Sequence, residues 1–191
     1  MRHEPGDAPI IGRRRSTGPV RVLIVTGPVG AGKTTTMWAL GELLEAAAVP
    51  HAVLDVDQVR TFHPTPPDDR FGSRLGRRNT AAVTANYLAE GATVLVLADV
   101  IEHAGDRDDY VRMMPDAEIT VVRLDVPMET IFRRLAVREP EMTLAWHRER
   151  APELQAIMER ERIGDLVIDV GQRTPPELAT EIADRLNLRG A

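Results

Sequence analysis

One short stretch of the chain has residue types and a spacing that suit phosphate binding. Residues 27–34 read GPVGAGKT, and they separate an apolar run from the start of a helical pattern. Glycines let backbone N–H groups turn inward around phosphate oxygens, and a helix N-terminus adds its positive dipole end. Lys33 can neutralise phosphate oxygens, and the Thr34 hydroxyl can coordinate magnesium. The pattern therefore predicts a phosphate-binding loop.

The composition strengthens this prediction, because Lys33 is the one lysine of the chain and stands where the motif needs one. Lys33 is expected to act both as a phosphate ligand and as a catalytic group. A glycine-rich turn without any ligand is the alternative. The predicted nucleotide-binding residues of this stretch are Gly27, Gly30, Ala31, Gly32, Lys33, Thr34 and Thr35.

A pair of carboxylates follows the second apolar run, where residues 54–60 read LDVDQVR. In an extended chain Asp55 and Asp57 point to the same side. One of them could accept the proton of a hydroxyl group while the other holds magnesium, and Asp57 is the predicted base. Arg60 could bind an anionic group of the acceptor. The alternatives are that Asp57 caps the next helix and that Arg60 is a surface residue.

Other candidates stand at the ends of later apolar runs. Asp99 follows residues 94–98 and is a predicted magnesium ligand that could also touch the acceptor. Glu102 is a candidate acceptor contact, with an exposed loop position as its alternative. Gln172 follows the last apolar run, where adenine rests in sheets of this kind. Trp146, His147 and Arg150 could line the acceptor site, although helix packing is the favoured interpretation for these three residues.

The segment 133–140 reads RRLAVREP and ends in a helix breaker, which is typical of a hinge. Its arginines can bind phosphate oxygens with two parallel hydrogen bonds. Arg133, Arg134 and Arg138 are therefore candidate phosphate contacts in a mobile lid. A solvated helix face would show the same arginines.

Short apolar runs alternate with longer amphipathic ones from residue 20 onward, which predicts an α/β fold. Continuous apolar strands suit a parallel sheet that helices cover on both faces. The five predicted strands are 20–26, 52–56, 93–98, 118–124 and 166–170. The predicted helices are 33–48, 78–90, 106–114, 128–137, 146–160 and 176–188.

Length and composition limit the alternatives. A chain of 191 residues with 43% hydrophobic residues can bury one core, so a single domain over 20–191 is expected after a flexible tail over 1–19. The net charge of -5 and the interspersed charges argue against nucleic acid. No apolar run approaches the roughly 18 residues of a membrane span. The absence of cysteine excludes a disulfide framework and a thiolate nucleophile. A cytoplasmic monomer or homodimer is expected.

A phosphate-binding loop occurs in several classes of protein, and three of them lack support here. There is no Asn-Lys-x-Asp for guanine, no Leu-Ser-Gly-Gly of transporter ATPases, and too short a chain for a ring ATPase with its lid domain. Small-molecule kinases remain. They need a base for the acceptor hydroxyl, a magnesium shell and cations around the transferred phosphoryl group.

The two motifs, Gly-x-x-x-x-Gly-Lys-Thr and Leu-Asp-x-Asp-x-Val-Arg, resemble those of adenylylsulfate kinases and, more distantly, gluconate, shikimate and chloramphenicol kinases. The resemblance covers most of 20–188. It implies a three-layer P-loop fold with strand order 2-3-1-4-5 and a helical lid, ATP and Mg²⁺ as cofactors, and Asp57 acting on the acceptor. It also implies Arg133 as a phosphate contact and Arg134 and Arg138 as catalytic lid residues. Residues 61–76 lack the pattern of a sulfate-nucleotide pocket.

The function predicted from these features is transfer of the γ-phosphoryl group of ATP to a hydroxyl of a small polar molecule. A metabolite, a nucleoside-like compound or an antibiotic would each suit a site built from residues 55–76 and 103–110. Two alternatives remain open. One is an ATP-binding regulatory switch with slow hydrolysis, and the other is a toxin-like kinase that acts on a cell-wall precursor.

Overall fold

The computed structural model describes residues 18–189, and the predicted tail over 1–19 lies outside them except for its last two residues. Within this range the chain forms five strands and seven helices. They are β1 (Val20–Thr26), α1 (Lys33–Ala46), β2 (His51–Asp55), α2 (Asp57–Arg60), α3 (Ser73–Ala89), β3 (Val94–Ala98), α4 (Ala104–Met113), β4 (Ala117–Asp125), α5 (Met128–Arg138), α6 (Glu141–Arg160), β5 (Leu166–Asp169) and α7 (Pro175–Arg185).

The five strands form one parallel sheet in the order β2-β3-β1-β4-β5, which confirms the predicted topology. Strand β1 lies at the centre, where Val22 pairs with Leu95 of β3 on one side and with Ile119 of β4 on the other. All five residues of β3 are buried, as expected for an interior parallel strand. The loop after β1 therefore leaves the middle of the sheet at its carboxyl edge, where doubly wound sheets bind ligands.

Helices cover both faces of the sheet, and alternate residues of β1 point into two separate cores. Leu23 and Val25 belong to the core beneath α1, α5 and α7. Val22 and Ile24 belong to the opposite core, together with Tyr110 of α4 and side chains of α3 and α6. This alternation is the two-residue period of a strand, and it produces the three-layer α/β architecture.

Three predicted boundaries were wrong at places that matter for the site. Strand β2 ends at Asp55, and Asp57 begins the single turn of α2, so the two carboxylates do not share one extended strand. Helix α3 begins at Ser73 instead of residue 78. Helix α6 begins directly after Pro140 instead of at Trp146, because Pro140 at the N-cap followed by Glu141 suits a helix start.

Among the described residues, no helix is both long enough and apolar enough to cross a membrane.

The approach of α3 to α2 depends on Gly72, which precedes α3 with a φ of 63°. A Cβ at this position would collide with the carbonyl oxygen of Arg60. Gly91 also has a positive φ, of 100°, but a Cβ there would have no atom within 4 Å. Substitutions at the two glycines can therefore be compared to separate the cost of backbone strain from the cost of steric contact.

We predict that Gly72→Ala destabilises the protein by about 2–4 kcal/mol, because left-handed strain of about 1 kcal/mol adds to overpacking against Arg60. Gly91→Ala should cost only about 1 kcal/mol, from strain alone. Urea unfolding followed by circular dichroism measures both. Equal losses for the two variants would show that the contact between Gly72 and Arg60 has no energetic weight.

Candidate active site

The phosphate-binding loop has a backbone that only glycine adopts readily at three of its positions. Gly27 has a φ of 152°, Gly30 a φ of 83° and Gly32 a φ of 99°. A Cβ at Gly30 would lie 3.2 Å from Cγ2 of Ile131, so α5 packs directly against the loop. Helix α1 begins at Lys33 with Gly32 as its N-cap. The loop thus has the strand-to-helix context that the motif requires.

Lys33 is partly buried, and its ammonium group donates to carbonyl oxygens of its own loop. The Nζ atom lies 3.1 Å from the oxygen of Gly27 and 3.2 Å from that of Pro28. Burial lowers the pKa of Lys33, while the nearby carboxylates of Asp57, Asp99 and Asp55 oppose this shift. A lysine held only by neutral carbonyls retains a charge for phosphate oxygens, so the loop fits a nucleotide phosphate group.

Thr34 and Asp55, which are both predicted magnesium ligands, contact each other. The Thr34 hydroxyl donates to Oδ2 of Asp55 at 2.7 Å, and the backbone N–H of Asp57 donates to Oδ1 of Asp55 at 3.1 Å. Hydroxyl and carboxylate oxygens are ligands that Mg²⁺ prefers, and this ion is usually bound by one or two carboxylates together with phosphates. Residues 18–189 contain no cluster of three or more acidic or histidine side chains for a metal. The pair therefore fits a magnesium ion that arrives with a nucleotide.

Arg60 joins the other two predicted carboxylates instead of standing free for an acceptor anion. Its guanidinium lies 2.8 Å from Oδ1 of Asp57 and also binds Asp99. Asp99 is only 3% exposed and accepts two further hydrogen bonds, from the Tyr110 hydroxyl at 2.6 Å and from the N–H of Val100 at 2.8 Å. The magnesium role of Asp99 stays a prediction, and its present contacts are those of a buried anchor.

Burial and the adjacent Asp99 carboxylate raise the pKa of Tyr110 far above its ordinary value. The phenol therefore remains a hydrogen-bond donor to Asp99 throughout the usable pH range.

A cavity of about 440 Å³ opens at the carboxyl ends of β1, β2 and β3. Its wall contains five of the predicted site residues, namely Lys33, Asp57, Arg60, Asp99 and Glu102. Trp146, His147 and Arg150 of α6 also line it, although packing was the favoured interpretation for them. Their spacing places all three on one face of α6, which crosses above the strand ends. The candidate acceptor contacts therefore converge on one space.

The three lid arginines do not converge. Arg134 donates to the carbonyl oxygen of Ala31 at 3.0 Å and thus braces the loop, and burial together with Arg133 lowers its pKa. Arg133 contacts Thr130 at 3.4 Å. Arg138, the last residue of α5, is exposed and paired with Glu139 at 2.6 Å.

Gln172 is exposed in the turn after β5, at the carboxyl edge of the sheet. Its adenine contact stays a prediction.

Two further charged residues line the cavity: Arg77, which was missed from the sequence, and Asp106, which lies in the predicted acceptor segment 103–110. Arg77 binds Asp106 at 3.0 Å and also Asp109, and its guanidinium stacks 5.1 Å above the ring of Tyr110. Arg77 was overlooked because α3 was expected to begin after it. Asp106 stands at the third position of α4 and completes a capping box with His103.

The family model for an AAA domain, AAA_33, matches residues 22–160, which is more than half of the chain. The chain belongs to this family of P-loop domains. The match runs from β1 through α6, and so includes the phosphate-binding loop and the helix that covers the cavity. No curated protein matches the chain.

Solved structures with the same fold include several small-molecule kinases. Shikimate kinase from Acinetobacter baumannii, in complex with shikimate, is 23% identical with a TM-score of 0.59, over 90% of this chain and 95% of that one. The APS kinase CysC of Mycobacterium tuberculosis, in complex with AMPPNP and APS, is 23% identical with a TM-score of 0.62, over 88% and 98%. A tunicamycin resistance protein from Deinococcus radiodurans is 18% identical with a TM-score of 0.60, over 87% and 95%. These likenesses confirm the predicted kinase-type fold.

We predict that Tyr110→Phe destabilises the protein by about 1.5–3 kcal/mol, because it removes a buried hydrogen bond to a charged group. Tyr87→Phe is the matched control, since Tyr87 is half-buried in the same core and its hydroxyl has no partner within residues 18–189. It should change stability by less than about 0.5 kcal/mol. The free energy of unfolding in urea measures both, and a loss no larger for Tyr110→Phe than for the control would contradict the anchoring role of the Tyr110 hydroxyl.

Proposed function

We propose that this protein is an ATP-dependent phosphotransferase that moves the γ-phosphoryl group of ATP to a hydroxyl of a small polar molecule. The observation that carries the proposal is that Lys33 of the phosphate-binding loop and the carboxylate of Asp57 line the same cavity. A phosphate site and a base thus face one space of about 440 Å³, which is the size of a small-molecule pocket.

Each residue has a role that its surroundings support. Lys33 and the loop N–H groups bind the phosphates of ATP, and Thr34 and Asp55 would hold magnesium. The bound ion would neutralise charge on the phosphoryl oxygens. Asp57 is 61% exposed, lines the cavity and can reach a bound hydroxyl group, while Arg60 fixes its carboxylate through the 2.8 Å ion pair.

In the proposed reaction the acceptor oxygen forms a bond to the γ-phosphorus while the bond between that phosphorus and the bridging oxygen of ADP breaks. Asp57 accepts the proton that the acceptor hydroxyl loses. Arginine charge balances the transferred group, and Arg138, which is exposed at the end of α5, is the arginine proposed for this role. The family membership and the kinase fold support this assignment, while the acceptor itself is the subject of the test.

The test is a mass-spectrometric screen of metabolites, nucleosides and antibiotics with ATP and magnesium, run on the wild type and on Asp57→Asn. We expect one acceptor to gain a phosphoryl group, and Asp57→Asn to lower kcat by about 10²–10⁴-fold while ATP affinity stays within about threefold. Asp68→Asn is the control, because Asp68 is similarly exposed and forms an ion pair of equal length, 2.8 Å, with Arg74 outside the cavity. Tight ATP binding without any phosphorylated product would instead favour a regulatory switch.

The two arginines of α5 should differ in kinetic effect. Arg134→Ala should weaken ATP binding, because the loop loses the donor to the Ala31 carbonyl. Arg138→Ala should lower kcat by about 10²-fold with little change in ATP affinity, as expected when one charge that stabilises the transition state is removed. Equilibrium ATP titration and steady-state kinetics separate the two effects. If Arg138→Ala changes only ATP affinity, Arg138 acts in binding and not in transfer.

A further inference from the structure

The cavity arginines are already neutralised by the protein. Arg60, Arg77 and Arg150 each contact two carboxylates. The pairs are Arg60 with Asp57 and Asp99, Arg77 with Asp106 and Asp109, and Arg150 with Glu102 and Glu153. The three side chains are only 14–19% exposed, so their charges are directed at these partners and not at the open space.

An anionic acceptor would have to compete with these pairs. The pair of Arg60 with Asp99 would be especially costly to break, because an almost inaccessible carboxylate would be left uncompensated. Within residues 18–189, each of these three guanidinium groups is shared between two carboxylates, so the negative charge of its partners exceeds its own positive charge. The cavity therefore has no spare arginine charge for a carboxylate, sulfate or second phosphate of the acceptor.

Hydrogen-bond acceptors, in contrast, remain available on the cavity wall. Glu102 contacts Arg150 through Oε2 at 2.6 Å, and Asp57 contacts Arg60 through Oδ1 at 2.8 Å. The second oxygen of each carboxylate has no hydrogen-bond donor within the described part of the chain. Carboxylate oxygens accept from hydroxyl and ammonium groups, and an ionised partner gives the stronger bond.

Two exposed aromatic rings complete the wall. Phe71, in the segment before α3, is 55% exposed, and Trp146 of α6 is 45% exposed. Large apolar rings that line a polar cavity suit the flat apolar face of a ring compound. A cationic group near Trp146 would gain further attraction from the ring.

We propose that the acceptor is a neutral or amine-bearing polyhydroxylated ring compound and not an anion. Glu102 is the residue that selects it, and Trp146 and Phe71 contact its ring. This inference rests on the proposed function only in that the bound molecule is called a phosphoryl acceptor. The charge selection follows from the cavity alone.

Direct binding measurements test the charge selection. The probes are the 6-amino, 6-hydroxy and 6-carboxy forms of glucose and the corresponding amino, hydroxy and carboxy forms of a cyclohexane polyol. Binding is followed by ligand-observed NMR with a non-hydrolysable ATP analogue and magnesium present. Within at least one set the amine should bind about tenfold or more tightly than the carboxylate, the value of one charge-assisted hydrogen bond. A carboxylate that binds as tightly as its amine in both sets, or no binding by any neutral or amine member, would overturn the proposal.

A matched pair of variants distinguishes direct selection from a general disturbance. Glu102 and Glu153 bind the same arginine at 2.6 and 2.7 Å, but only Glu102 lines the cavity. Glu102→Gln should remove the preference for the amine and improve binding of the carboxylate, because it also frees a charge on Arg150. Glu153→Gln should keep the preference for the amine. Equal effects of the two variants would contradict a selecting role for Glu102.

The outcomes also separate this inference from the proposed function. Amine selection without any phosphoryl transfer would overturn the kinase assignment and keep the charge selection. Efficient phosphorylation of an anionic acceptor would overturn the charge selection and keep the kinase assignment.

Discussion

The buried ion pair between Asp99 and Arg60 is the contact on which the rest of the site depends. Asp99 follows β3 in the interior of the sheet and is almost inaccessible to solvent, so its charge must be compensated by protein groups. Arg60 comes from α2 and Tyr110 from α4, and both bind this one carboxylate. The Asp99 carboxylate therefore holds both α2 and α4 at the end of β3, beside the cavity.

The same contact determines where Asp57 lies. Because Arg60 binds Asp99 and Asp57 together, the candidate base is fixed relative to the sheet and not to a free loop. A hydrogen bond of 2.7 Å from Asn79 to the carbonyl oxygen of Val59 attaches α2 to α3 as well. The phosphate-binding loop and the candidate base are thus both positioned by the carboxyl edge of the same sheet. The phosphate-binding loop follows β1, the candidate base Asp57 follows β2, and the anchoring carboxylate of Asp99 follows β3.

Two cations hydrogen-bond to different carbonyl groups of the loop and stabilise its shape. Lys33 donates to the carbonyls of Gly27 and Pro28, and Arg134 donates to that of Ala31. Such a loop needs little rearrangement to receive phosphates, which lowers the entropic cost of binding. The rest of the cavity wall is built differently, and side chains of α3, α4 and α6 contribute to it alongside Lys33 and Asp57.

The amino-acid sequence by itself determined the five parallel strands, their order through resemblance, and the phosphate-binding loop, because these depend on local apolar runs and on a motif of eight consecutive residues. It also placed Asp57, Arg60, Asp99 and Glu102 at strand ends that meet in space. Only the tertiary structure decided how those residues are paired, since Arg60 and Asp99 are 39 positions apart and Glu102 and Arg150 are 48 apart. No local pattern encodes such distances. They arise when helices pack on the sheet, and this packing turned Arg60 from a candidate anion ligand into a buried partner and brought α6 onto the cavity.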